Sequence, residues 1–215
     1  LLHGFPDTYE NWAVQINALA AAGYTAIAPA LRGYAPSCQS GGGDCSVYAG
    51  VDDLMVFAAQ LGGRVHLIGH DWGAPIAWTS ALLHPDRFRA VAGLSIPHSA
   101  PGPVSADILQ DQFFTKKGRY FYQVDFQDVG TAEAELEAGP AAVIRKFYYA
   151  ISGDAPEGTW PADKKPGDGV LRGLPEPPMP LPWLLFQPRP CSSMLAPSGS
   201  GPTSAASPAP WDLPK

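Results

Sequence analysis

Residues 64–83 read RVHLIGHDWGAPIAWTSALL, and this stretch decides the fold. Its first seven residues form a short apolar run of the kind that makes a buried strand. Residues 75–83 read as a helix, which His84-Pro85 ends. Between the two stands Gly69-His70-Asp71-Trp72-Gly73. A Gly-x-nucleophile-x-Gly elbow needs small residues for a tight strand-to-helix turn, and it presents its central side chain above the sheet. The helix N-terminus that follows favours an anion there. The central residue here is Asp71, and a carboxylate can attack carbon directly and form an ester. The same pattern also suits Asp71 as a plain helix N-cap, so the stretch alone leaves two readings open.

The residues upstream decide between them. His3-Gly4-Phe5-Pro6 follows the apolar pair Leu1-Leu2, so it lies at a strand end. A turn at that place aims the backbone N–H of Phe5 towards the elbow, where with the N–H of Trp72 it makes an oxyanion hole. Further strands are expected over residues 25–30 (TAIAPA) and 90–97 (AVAGLSIP). Residues 51–61 place Val51, Leu54, Met55, Ala58 and Leu61 at helical spacing. Strands alternating with helices imply an α/β fold with a parallel sheet and helices on its faces.

After Pro97 the character changes. SAPGP, residues 99–103, reads as a linker into a helical region rich in aromatics. Residues 131–151 are the clearest helix there. Glu133, Glu135 and Glu137 open it, Arg145 and Lys146 lie near its end, and Gly139-Pro140 is expected to break or kink it. Twelve of the 24 prolines fall in residues 175–215, and from Pro188 onward Pro, Ser, Ala and Gly dominate. Such a segment buries too little apolar surface to offset chain entropy, so disorder is expected. It lacks a basic-flanked PxxP that would make it an SH3-type ligand.

Composition narrows the function class. The chain has 215 residues, 46% apolar and 16% charged, which supports a buried core. A net charge of −6 argues against nucleic acid or an anionic membrane surface as the main partner. No apolar run reaches the ~18 residues of a membrane span. Cys38, Cys45 and Cys191 show neither metal spacing nor a disulfide framework. Cys38 and Cys45 flank a Gly-rich loop and could pair, but with nothing pointing to an oxidising compartment they are expected as loop thiols of a cytoplasmic protein.

HGFPDTYENWAVQINALAAAGYTAIAPALRGY (residues 3–34) and GHDWGAPIAW (residues 69–78) together resemble the epoxide hydrolase branch of the α/β-hydrolases. FYQVDFQDVGTAEAELE (residues 121–137) resembles the cap of soluble epoxide hydrolases. The resemblance covers residues 1–183. It implies an α/β-hydrolase core over residues 1–100, part of a helical cap over 101–183 and a tail over 184–215. It also implies Asp71 as the nucleophile and Tyr122 as the cap hydroxyl that hydrogen-bonds the epoxide oxygen, with Tyr120 as the fallback. The substrates implied are a small apolar epoxide and water, with no metal and no cofactor.

The chain departs from the family in instructive ways. Its five histidines are His3, His66, His70, His84 and His98, and none lies beyond the cap, where the family carries its base. The acid partner and a second cap Tyr also have no match, and Ala30 stands where the family often has Asp. The family carries further strands before Leu1 and after the cap, so by the resemblance the chain reads as incomplete at both ends, and the abrupt change after Trp183 suggests a shifted reading frame, an unspliced intron or a gene-model error. The expected function is therefore an epoxide hydrolase-type hydrolase that forms the ester and lacks the His and acid to break it. A haloalkane or haloacid dehalogenase also uses an elbow Asp, but Phe5, Trp72 and Tyr122 disfavour it. The reading from another class is a non-catalytic fragment.

Overall fold

The computed structural model describes residues 1–37, 44–99 and 112–179. Cys38, Cys191 and the whole Pro-rich tail expected to be disordered lie outside them. The chain divides into two compact units, Leu1–Pro101 and Gly102–Lys215.

In the first unit, strand β1 (Val65–His70) pairs in parallel with β2 (Phe88–Leu94), from Val65 opposite Phe88 to His70 opposite Leu94. Leu2 joins the other side of β1 as a single parallel bridge: its N–H donates to Ile68 O at 2.8 Å and its carbonyl accepts from His70 N–H at 3.0 Å. Helix α3 (Gly73–Leu83) connects the two strands and packs on both, and α2 (Val47–Gln60) packs on α3. Ser46 starts α2, its hydroxyl accepting the Ala49 N–H at 3.2 Å. The face expected from spacing is the one buried: Val51, Leu54 and Ala58 are inside and Met55 lies against the core, whereas Leu61 is just past the helix end and exposed. The core joins these residues to Leu2, Leu67, Ile76, Ala77 and Phe88. A short 3₁₀ turn (Tyr9–Trp12) with buried Trp12 leads into α1 (Ala13–Ala21).

Residues 25–30 are a correction. They run without helix or strand pairing, and the expected strand there is not formed. A strand exists only where a neighbour completes its ladder. Here the Leu1 ammonium donates to Ile27 O at 2.8 Å and the Ser37 hydroxyl to Ala30 O at 2.7 Å, neither of them a ladder bond, and Pro29 has no N–H to offer. The third expected strand ends at Leu94, three residues before Pro97.

In the second unit, α4 (Tyr122–Asp125) is one turn long, and α5 (Thr131–Glu137) and α6 (Pro140–Ile151) are separated at Gly139-Pro140. Pro140 takes the first position of α6, where its missing N–H is unneeded, so the expected break is a restart. Val143, Phe147, Tyr149 and Ala150 form the buried face of α6. Residues 152–179 have no regular secondary structure, yet Lys164, Val170 and Leu174 within them are buried.

Candidate active site

Three backbones cross at the end of β1, and only glycine fits at the crossing. A side chain at Gly69 would strike the Gly73 carbonyl, and one at Gly73 would strike the Leu2 carbonyl. This close approach forces the turn, and Asp71 adopts φ 49°, in the left-handed region. For a residue other than glycine that conformation costs about 1–3 kcal/mol, although Asp tolerates it better than most. Asp71 N–H donates to Leu94 O at 3.3 Å, which ties the elbow to the end of β2, and its carbonyl accepts from Ala74 N–H at 2.9 Å.

The carboxylate of Asp71 does not cap α3. Trp72 holds the N-cap position, and Asp71 Oδ1 instead accepts the Phe5 N–H at 2.8 Å across 66 residues of chain. Gly4 makes this possible, because a side chain there would run into Asp71 Cβ and Oδ1. The structure thus brings Phe5 and Asp71 together, with the neighbouring Trp72 43% exposed.

His3 holds the turn in place from behind. It is 1% exposed. Its Nε2 accepts the Leu31 N–H at 3.0 Å, which assigns the proton to Nδ1, and Nδ1–H then donates to Gly4 O at 3.1 Å. The ring meets Tyr34 edge-on at 4.6 Å. Burial pushes the imidazole below its ordinary pKa of 6.5, with Gly4 O and Asp7 opposing the shift. His3 is therefore a neutral structural strut.

The other histidines are also placed. His70 Nδ1 lies 3.3 Å from Asp7 Oδ2, and Asn11 Nδ2 donates to Asp7 Oδ1 at 2.7 Å. Sequence reasoning passed over Asp7. Its signal was an acid four residues past His3, on the turn that returns to the elbow. His66 meets Tyr24 edge-on, His98 meets Trp78 edge-on, and His84 N–H donates to Ser80 O at the end of α3.

Tyr122 opens α4 in the second unit. Its hydroxyl accepts from Gln123 Nε2 at 3.1 Å, and its ring touches those of Phe121 and Phe126. Tyr120 is different. Its hydroxyl is buried without a hydrogen-bond partner among the described residues, burial raises its pKa well above 10, and its ring faces the Lys164 ammonium. Among the described residues, no group of three or more His, Cys, Asp or Glu is arranged to hold a metal ion. Cys45 is a free, exposed thiol.

Comparison with known proteins widens this picture. An epoxide hydrolase of Caballeronia sordidicola is 42% identical over 163 residues, 73% of this chain and 47% of that protein. Epoxide hydrolase A of Mycobacterium tuberculosis is 38% identical over 185 residues, 82% of this chain and 55% of that protein. Among solved structures, epoxide hydrolase A from Mycobacterium thermoresistibile superposes with a TM-score of 0.72 at 35% identity, covering 84% of this chain and 57% of that one. An epoxide hydrolase from an endophytic Streptomyces gives 0.75 at 35% identity, covering 83% and 55%. The chain spans about half the length of the curated relatives it matches. A family model described as the alpha/beta hydrolase fold matches residues 1–143, and with the elbow and its facing turn in place, the chain belongs to that family.

Proposed function

We propose that this chain carries the ester-forming half of an epoxide hydrolase. The observation behind the reading is the 2.8 Å hydrogen bond from Phe5 N–H to Asp71 Oδ1. It occupies one carboxylate oxygen and leaves the other as the attacking atom. Oδ2 attacks an epoxide carbon, the carbon–oxygen bond of the ring breaks, and the alkoxide takes a proton from a phenol, a role the resemblance assigns to Tyr122. The product is a hydroxyalkyl ester of Asp71. When water adds to that ester, the oxyanion develops on the oxygen already held by Phe5 N–H, with Trp72 N–H as the second donor.

The relatives whose names are epoxide hydrolases support this choice of reaction. The substrate proposed is a small apolar epoxide, in keeping with the aromatic residues around Tyr122. The reading keeps residues 1–100 as core, 101–183 as cap and 184–215 as tail. It also places the protein in the cytoplasm. No helix among the described residues is long and apolar enough to cross a membrane, and the exposed Cys45 thiol suits a reducing compartment.

Incubation with styrene oxide followed by intact-mass measurement tests the proposal. A single adduct of substrate mass, absent in Asp71→Asn, is the expected result. An unmodified wild-type chain, or an adduct that survives Asp71→Asn, overturns it.

A further inference from the structure

A one-turn helix such as α4 does not hold itself together in water, because nucleating a first turn fixes several residues for one hydrogen bond. Tyr122 begins that turn, and its carbonyl accepts the Phe126 N–H at 2.9 Å. Support must come from tertiary contacts; Phe114 stacks on Phe121 just before the turn, and the irregular stretch after α6 holds both sides of it. On the N-terminal side, Tyr120 N–H donates to Lys164 O at 3.2 Å, and Lys164 Nζ sits over the Tyr120 ring, 4.2 Å from its centre. On the C-terminal side, Asp125 Oδ1 accepts the Gly167 N–H at 3.1 Å.

The stretch is itself anchored from within. Lys164 is 3% exposed, and its Nζ donates to Val170 O at 2.6 Å. The ammonium also lies 5.2 Å from the Trp160 ring, whose edge meets Phe147 of α6. Glu135 of α5 accepts from Val170 N–H at 2.8 Å and from Leu171 N–H at 2.9 Å. Gly169 sits against that carboxylate in the left-handed region, where a side chain would collide with it. A buried lysine between two aromatic faces, bonded to a backbone carbonyl, is costly unless the geometry repays it. Here it joins Tyr120, Trp160 and Val170 at one point.

We infer that Lys164 is a positioning residue for Tyr122, bracing the α4 turn through Tyr120 while Gly167 holds its far end through Asp125. The inference rests on the proposed role of Tyr122 in opening the epoxide. Lys164 touches no reacting atom in this scheme. It sets the place of the phenol that does.

The test follows, on the full chain, the rate of Asp71 alkylation by styrene oxide and the amide exchange of residues 120–126. Lys164→Met keeps an unbranched stem and removes the charge. It should slow alkylation about tenfold or more at unchanged half-saturation, as small misplacements of a reacting group do. Amide exchange at Tyr120 and Phe126 should quicken. In a Tyr122→Phe background, Lys164→Met should cause no further slowing. Asp125→Ala, which removes an exposed bond, should give the same signature more weakly and serves if Lys164→Met folds poorly. Unchanged exchange over residues 120–126 in both variants would overturn the brace, whether or not the chain is alkylated. Equal slowing with and without the Tyr122 hydroxyl would overturn its route through Tyr122. Absence of an adduct on the parent chain would instead overturn the epoxide reading, and the exchange data would still decide the brace.

Discussion

The backbone N–H of Phe5 donates to Asp71 Oδ1 at 2.8 Å, joining two turns that lie 66 residues apart in the chain. A carboxylate held this way has its two oxygens told apart before any substrate arrives. The bond depends on close approach of the backbone at Gly4, where any side chain meets Asp71.

Gly4→Ala should therefore act on chemistry as well as stability. Overpacking of this kind costs about 1–3 kcal/mol. Displacing the Phe5 donor by a fraction of an ångström should slow ester formation by about 100-fold. Thermal melting with a timed intact-mass series would measure both. A variant that forms the adduct at the parent rate would show that the turn need not hold Asp71.

Asp71→Asn separates function from fold. Asn tolerates the left-handed region about as well as Asp and keeps an oxygen for Phe5 N–H. Its melting temperature should stay within a few degrees of the parent. In the parent chain, one equivalent of epoxide should be retained as the ester and no diol released, because the proposed scheme assigns no histidine to ester hydrolysis. Sustained turnover would overturn that assignment. His70, paired with Asp7, would then be the first histidine to replace, ahead of His98, which packs on Trp78.

Acid should destabilise the first unit through His3. Burial lowers its folded pKa below 6.5, so between the two values the unfolded chain binds a proton that the folded one refuses. The stability contributed by neutral His3 is present above pH 6.5 and is lost as pH falls through the folded pKa. Urea titrations from pH 7.5 down to pH 5 should show this decline. In His3→Gln it should be shallower, on a lower baseline. An identical decline in both proteins would mean that His3 does not carry it.

Lys164 predicts a trend at the other end of the pH scale. Burial, the largest cause, lowers its pKa below 10.5; Glu135, Asp168 and Asp125 oppose the shift and Arg172 adds to it. The cost of burying the ammonium is present below the folded pKa and is relieved as pH rises through it towards 10.5. Stability should therefore rise with pH in that window. The measurement belongs below pH 10, where Tyr120, its own pKa raised by burial, stays neutral. Lys164→Met should flatten the rise, and a rise that persists in the variant would assign it to another group.

What the sequence determined by itself was local. The apolar run of β1, the spacing in α2, the restart at Gly139-Pro140 and the glycines of the elbow are all readable because each depends on residues within a few positions. The pairing of the His3-Gly4-Phe5-Pro6 turn with the elbow could be inferred because both motifs carry their own glycines. Tertiary structure decided the rest. Residues 25–30 have the composition of a strand and no ladder, since a ladder belongs to two segments and not to one. His3 proved to be a strut because Leu31 and Tyr34 fold over it. Asp7 met His70, and Lys164 met Tyr120, across separations that no periodicity records. Burial turned a plain lysine in an irregular stretch into an anchor, and burial is a property of the packed chain, fixed only when distant segments close around the residue.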